Sequence, residues 1–321
     1  YQFGEYALGA YQIVSAALMV ILSIKVSGFV FSLHFSRDSL SRLMPFGVYT
    51  TLTSAIDAIY ENLITFLFGK YLNMQQAGFL YQAKRLEEVP SQSVVQTISN
   101  VAFPVLTKIR TNANEFANEC NATFKNVLLM VLPVLFTLSV FSEPTMALFF
   151  GEQWKLAAPY LSLLIYAAIF HMAETLNRTF IKSTTQVNLL FKYTMIKRVL
   201  GIGVIFICLF IEPRIVLYGY IISTFVGYVL NVHLLSRISE MTISKQLISF
   251  GLVLLPNVIY FLFMSLLTNC VDALYLQLTF CLLSLFVYYF VILRVYGINI
   301  LLQLSSLYNK LFVRRAVQDV E

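Results

Sequence analysis

The stretch FGVYTTLTSAIDAIYENLITFLFGKYL, residues 46–72, decides the fold class. It exceeds the ~20 residues that an α-helix needs to cross a bilayer. Yet it carries Thr50, Ser54, Asp57 and Glu61. Their offsets of 0, 4, 7 and 11 set them in one stripe on a helix. A charge at mid-membrane costs about 2.5–3.5 kcal/mol on insertion scales, so the two acids are expected to face protein or a wet cavity, away from lipid.

The next stretch, AGFLYQAKRLEEVPSQSVVQTISNVAFPVL at 77–106, is less apolar. It carries Lys84, Arg85, Glu87 and Glu88 just ahead of Pro90. Tyr81, Arg85, Glu88 and Gln92 form a second stripe at offsets 0, 4, 7 and 11, interrupted by Pro90. His171, Glu174, Arg178 and Lys182 form a third, at offsets 0, 3, 7 and 11.

The totals agree with a membrane setting. Hydrophobic residues make up 59% of the 321, charged residues only 12%, and mean hydropathy is +0.77. A soluble domain carries about 25% charged residues. The fold class read from this is an all-α, polytopic membrane helical bundle. The net charge of +6 sits in short loops between apolar segments, which argues against nucleic acid as a partner. Cys120, Cys208, Cys270 and Cys281 form no CxxC pair and indicate neither disulfide nor metal. No cofactor is implied, and no GxSxG, HExxH or P-loop occurs.

Hydropathy predicts about nine spans. The first is Tyr6–Ile24, and the two striped helices are the second and third. The others start near Val127, Pro159, Tyr193, Ile215, Ile248 and Leu274. Basic residues concentrate in alternate loops: Arg37 and Arg42; Lys108, Arg110 and Lys125; Lys182 and Lys192; Arg237 and Lys245; then Arg294, Lys310, Arg314 and Arg315 after the ninth span. This places those loops and the C-terminus in the cytoplasm. The basic tail is expected to rest on anionic lipid, and Trp154, Phe149 and Phe150 to sit in an interfacial belt. Pro133 and Pro256 are expected to kink their helices. Gly219, Ser223 and Gly227, spaced by four, predict a close-packing face.

Several motifs carry a resemblance: FG at 46–47, LFGKYLNMQQAGFLYQAKRLEEVP at 67–90, ISNVAFPVLTKIR at 98–110, Pro144, LFFGEQWKLAAPYLSLL at 148–164 and KYTMIKR at 192–198. Together, and in this order, they resemble the polysaccharide (O-antigen and exopolysaccharide) flippases of the multidrug/oligosaccharidyl-lipid/polysaccharide superfamily. The likeness extends over roughly residues 1–235. It implies the C-terminal lobe of a MATE-like two-lobe transporter: 1–42 as the last helix of the N-terminal lobe with a cytoplasmic linker, 43–240 as a six-helix lobe, and 241–321 as a final helix pair with a basic cytoplasmic tail. The first five helices of the family plan would precede residue 1. It also implies a substrate, an oligosaccharide on undecaprenyl diphosphate, flipped by alternating access across a bacterial inner membrane.

On that comparison, Asp57, Glu61, Arg85, Glu88, Glu174 and Arg178 are the candidate cavity residues. An arginine fork suits a diphosphate, and Tyr60, Tyr81 and Tyr166 suit sugar faces. Other readings stay open. The acids and bases pair between helices and only hold the lobe together, Arg178 and Lys182 snorkel, or the acids carry H+ or Na+ as a coupling ion. A cation-coupled multidrug antiporter of the same superfamily is the alternative function. A membrane polymerase or glycosyltransferase is disfavoured by the short outer loops.

Overall fold

The computed structural model describes residues 4–27, 36–212, 215–270 and 274–295. All of its regular structure is helical: α1 (Gly4–Ser27), α2 (Arg37–Tyr71), α3 (Met74–Ile109), α4 (Ala113–Val140), α5 (Ser142–Phe150), a 3-10 turn (Glu152–Ala157), α6 (Ala158–Ser183), α7 (Val187–Ile211), α8 (Val216–Ile238), α9 (Ile243–Cys270) and α10 (Leu274–Val295). Among the described residues there is no β-strand. The chain divides into two compact units, Tyr1–Pro45 and Phe46–Glu321. Lys310, Arg314 and Arg315 of the expected basic tail lie outside the described residues, as do Arg214 and the side chains of Arg42 and Cys270.

In the first unit, α1 exposes its side chains from Gly9 to Lys25. Leu18, Met19, Val20 and Ile21 are among them. A helix this apolar and this exposed suits lipid or other apolar helices better than water.

In the second unit, five segments are long and apolar enough to cross a membrane: Ala113–Val140, Glu152–Ser183, Val187–Ile211, Val216–Ile238 and Ile243–Thr268. Shorter apolar stretches occur at Gly9–Lys25 and Thr279–Ile292. The chain is therefore an all-α polytopic membrane protein, as its composition predicts. α6 is the central post and packs on α3, α4 and α8; α7 covers α8, and α9 and α10 pack on α4. Leu161, Ile165, Met172, Ala173, Leu176 and Phe180 of α6 are fully enclosed.

Polar bonds tie the helices where lipid offers no partner. Thr179 Oγ1 donates to Ser99 Oγ (3.1 Å), Ser249 Oγ to Asn121 Oδ1 (2.7 Å), and the Tyr289 hydroxyl to the Met130 carbonyl (2.6 Å).

Several helices begin earlier than hydropathy places them. The Asn73 side chain caps α3 by accepting from the Gln76 amide (2.7 Å), and that of Asn112 caps α4 by accepting from the Glu115 amide (3.3 Å). A capped polar turn thus extends α4 well before its apolar run starts at Val127. Pro90 and Pro104 do not break α3, which runs through both. Each proline removes only one backbone donor, and intact neighbouring turns and packed helices hold the rest. The stretch Ser142–Ala158 folds as α5 and the 3-10 turn. Trp154 packs there edge-on against Phe79 of α3, with ring centroids 5.8 Å apart.

Candidate functional site

α2 lies beside the second unit's other helices and meets them through side chains. Asp57 is the hub. Arg198 of α7 donates to Asp57 Oδ1 from both Nε (2.8 Å) and Nη2 (2.6 Å). Arg178 Nη2 of α6 meets Asp57 Oδ2 at 2.5 Å. The Arg198 guanidinium also lies over the Tyr60 ring, 4.0 Å from its centroid. Tyr60 in turn shares a 2.7 Å hydrogen bond with Ser223 of α8.

A second pair sits deeper. Lys197 of α7 is bonded to Glu174 Oε1 of α6, and Arg178 Nη1 approaches the same oxygen at 3.9 Å. One turn along α2 from Asp57, Glu61 Oε2 accepts from Lys84 of α3 at 2.8 Å. The Tyr220 hydroxyl of α8 donates to Glu61 at 3.3–3.4 Å. Gln92 Nε2 of α3 lies 2.7 Å from His171 Nδ1 of α6.

Burial is graded across this set. Glu174 and Lys197 are only 1% and 4% exposed, whereas the side chains of Glu61 and Lys84 are each 24% exposed. The interior pair is dry and the α2–α3 edge is wetter. Four acids (Asp57, Glu61, Glu88, Glu174) face four cations (Lys84, Arg178, Lys197, Arg198). The paired set is balanced in charge, and Lys182 follows one turn after Arg178.

Glycines make the room. A Cβ on Gly227 of α8 would lie 2.6 Å from Glu174 Oε2 and 2.6 Å from Lys197 Cδ. On Gly201 of α7 it would strike the Ser223 and Tyr60 hydroxyls, and on Gly219 it would lie 2.7 Å from Cys208 Sγ. The Gly219–Ser223–Gly227 face thus packs α8 closely on α6 and α7 and admits the ion pair between them.

Of the six sequence candidates, the structure brings four together: Asp57, Glu61, Glu174 and Arg178. Glu88 sits at the rim, its side chain 47% exposed and 3.9 Å from Lys84. Arg85 is exposed and has no ion pair among the described residues. Lys84, Lys197, Arg198 and Tyr220 were missed as site residues. Lys197 and Arg198 lie in the KYTMIKR motif, which reads as the first turn of a span. Because α7 begins at Val187, they lie about 15 Å along the helix. Among the described residues no cluster of His, Cys, Asp or Glu has the makings of a metal site.

Fold and site together define a multi-pass helical membrane protein with a charged network inside its bundle. Residues 1–159 match the family described as "Polysaccharide biosynthesis protein". The chain is 27% identical over 175 residues to the lipopolysaccharide biosynthesis protein WzxC of Escherichia coli, covering 54% of this chain and 36% of that one. It is 26% identical over 208 residues to the succinoglycan biosynthesis transport protein ExoT of Rhizobium meliloti, covering 63% and 41%. It is 23% identical over 163 residues to the teichuronic acid biosynthesis protein TuaB of Bacillus subtilis, covering 51% and 33%. These matches agree with the resemblance read from the motifs: the chain is similar to polysaccharide biosynthesis proteins, one of them a transport protein. Its matches span between a third and about two fifths of those relatives' lengths.

Proposed function

We propose that this chain forms the C-terminal lobe and final helix pair of a flippase that moves lipid-linked oligosaccharide across a bacterial inner membrane, its C-terminus in the cytoplasm. In this reading residues 1–42 end the first lobe, 43–240 form the second lobe and 241–321 the final pair and tail. The substrate is an undecaprenyl-diphosphate-linked repeat unit, and the chain moves it by alternating access without chemistry on it.

The observation that carries the reading is the network of four acids and four cations between membrane helices, grading from a dry pair at Glu174 to a wetter edge at Glu61, Lys84 and Glu88. Charges at this depth face a protein interior or a wet path, because facing lipid costs several kcal/mol each. The donors of Arg178, Arg198 and Lys84 suit a diphosphate, and the tyrosines suit sugars. Arg85 and Glu88, exposed on α3, continue the polar edge and line the path in this proposal. The names of the three relatives, all polysaccharide biosynthesis proteins and one a transport protein, support the substrate class.

The test is made in cells carrying the intact protein. Removing it is expected to abolish one surface polysaccharide and to accumulate its lipid-linked repeat unit in the inner leaflet. Unchanged polysaccharide with altered sensitivity to cationic drugs would replace this reading with a multidrug antiporter.

A further inference from the structure

Asp57 sits in the middle of the inward face of α2. Thr53, Tyr60, Ile64 and Leu67 are buried on either side of it, and their spacing puts all five residues in one helical stripe. Among the described residues α2 belongs to none of the closely packed helix pairs, so its hold on the bundle runs through side chains. To α6 and α7 its one charged tie is Asp57.

Both oxygens of that carboxylate are taken. Oδ1 accepts from Nε and Nη2 of Arg198, and Oδ2 lies against Nη2 of Arg178. Two guanidiniums closed on one small oxyanion is also the arrangement that holds a phosphate group.

Charge is balanced over the network but uneven within it. Glu61 and Glu88 share Lys84, and Lys197 answers Glu174. Arg178 and Arg198 share the single charge of Asp57, and Arg178 reaches Glu174 only at 3.9 Å. Lys182, half-buried one turn beyond Arg178, has no ion-pair partner among the described residues. A group with two negative charges and more acceptor oxygens matches these donors better than one carboxylate does. Holding α2 does not by itself require the pair, since apolar residues of similar size often serve as well as a buried ion pair. The pair is also reachable. The side chains of Asp57 and Arg178 are 16% and 14% exposed, against 2% and 5% for Glu174 and Lys197.

We propose that Asp57 is a placeholder for the diphosphate of the substrate. In this structure it occupies the Arg178–Arg198 site. An incoming diphosphate takes both arginines, and α2 loses its charged tie to α6 and α7. When Asp57 returns, it displaces the diphosphate. The inference rests on the flippase reading for the source of that group.

The test measures binding of inorganic pyrophosphate and of undecaprenyl diphosphate to the purified intact protein in detergent. A site held by its own acid in nine of ten molecules binds about tenfold more tightly once that acid is neutral. Asp57→Asn is therefore expected to tighten binding by about tenfold or more, whereas loss of a mere strut would weaken it. A gain with both ligands shows that the diphosphate group suffices, and a gain with the lipid alone assigns the site to the lipid carrier. Unchanged or weaker binding of both overturns the proposal. So does an equal gain from Glu61→Gln, which removes the same charge one turn away. The parent protein gives a second reading that does not depend on Asp57→Asn folding. Nitroxides placed at Ile59 of α2 and Val199 of α7, both exposed, are expected to move apart when undecaprenyl diphosphate is added. A fixed distance at saturating ligand overturns the proposal. Neither reading needs transport, so a flippase reading disproved in cells leaves them intact, and a failed binding test leaves that reading standing.

Discussion

Replacing Gly227 by alanine puts one methyl group where Glu174 and Lys197 meet. The added carbon would stand 2.6 Å from Glu174 Oε2, 2.6 Å from Lys197 Cδ and 3.2 Å from Glu174 Cδ. Carbon atoms in folded proteins do not approach so closely, so the pair or α8 must move. Overpacking of this kind costs about 1–3 kcal/mol. If the shift separates the pair, the loss rises toward the ~3–5 kcal/mol of a broken buried ion pair. Gly203 on α7 is the matched control, because a Cβ there meets nothing within 4 Å. Alanine at that site gains roughly 0.5–1 kcal/mol of helix preference. Thermal unfolding of the two purified intact variants in one detergent separates the cases. Gly227→Ala is expected to unfold at least about 2 °C below the parent, and Gly203→Ala at or slightly above it. Equal midpoints for the two variants would refute the packing of α8 on the Glu174–Lys197 pair.

Two further outcomes follow from the network. Glu174→Ala is expected to lower membrane abundance more than Lys197→Ala. The first leaves Lys197 enclosed without its acid, while the second leaves Glu174 with Arg178 3.9 Å away. The double variant should lose less than the sum of the singles, with a coupling of about 0.5–3 kcal/mol in unfolding. Arg85→Ala should leave abundance unchanged, since Arg85 is exposed and unpaired among the described residues. If Arg85 holds diphosphate, both Arg85→Ala and Arg85→Lys lower polysaccharide output, because a lysine lacks the two-pronged donor; normal output from both assigns the residue to the surface.

The fold class was legible because a bilayer leaves few choices for apolar runs of this length. Asp57 and Glu61 were legible for a related reason: acids inside an apolar run must turn toward protein. On α3 the same logic was ambiguous. Lys84, Glu87 and Ser91 lie on one face, and Tyr81, Arg85 and Glu88 on its neighbour, so polar residues at helical spacing fit two stripes. Packing chose the first as the enclosed face: Ala83, Glu87 and Ser91 are buried there, and Lys84 reaches Glu61. Lys197 and Arg198 were hidden by a boundary. Hydropathy begins their span at Tyr193, but α7 starts at Val187, which moves the two cations from a helix end to its interior. Their acids lie on α2 and α6, 141 and 23 residues away in sequence, and no local pattern records such a partnership. The Gly219–Ser223–Gly227 spacing was readable as a packing face, while what it accommodates required the structure.

Translocation by the purified intact protein tests the central claim most directly. The protein is placed in vesicles that carry an undecaprenyl-diphosphate oligosaccharide, and the fraction of sugar reached by an externally added glycosidase is followed with time. The account predicts that this fraction rises beyond the share initially facing outward. It also predicts that Asp57→Asn, which weakens the hold on Arg178 and Arg198, slows the rise. A folded parent protein that leaves the fraction at that of protein-free vesicles would contradict it.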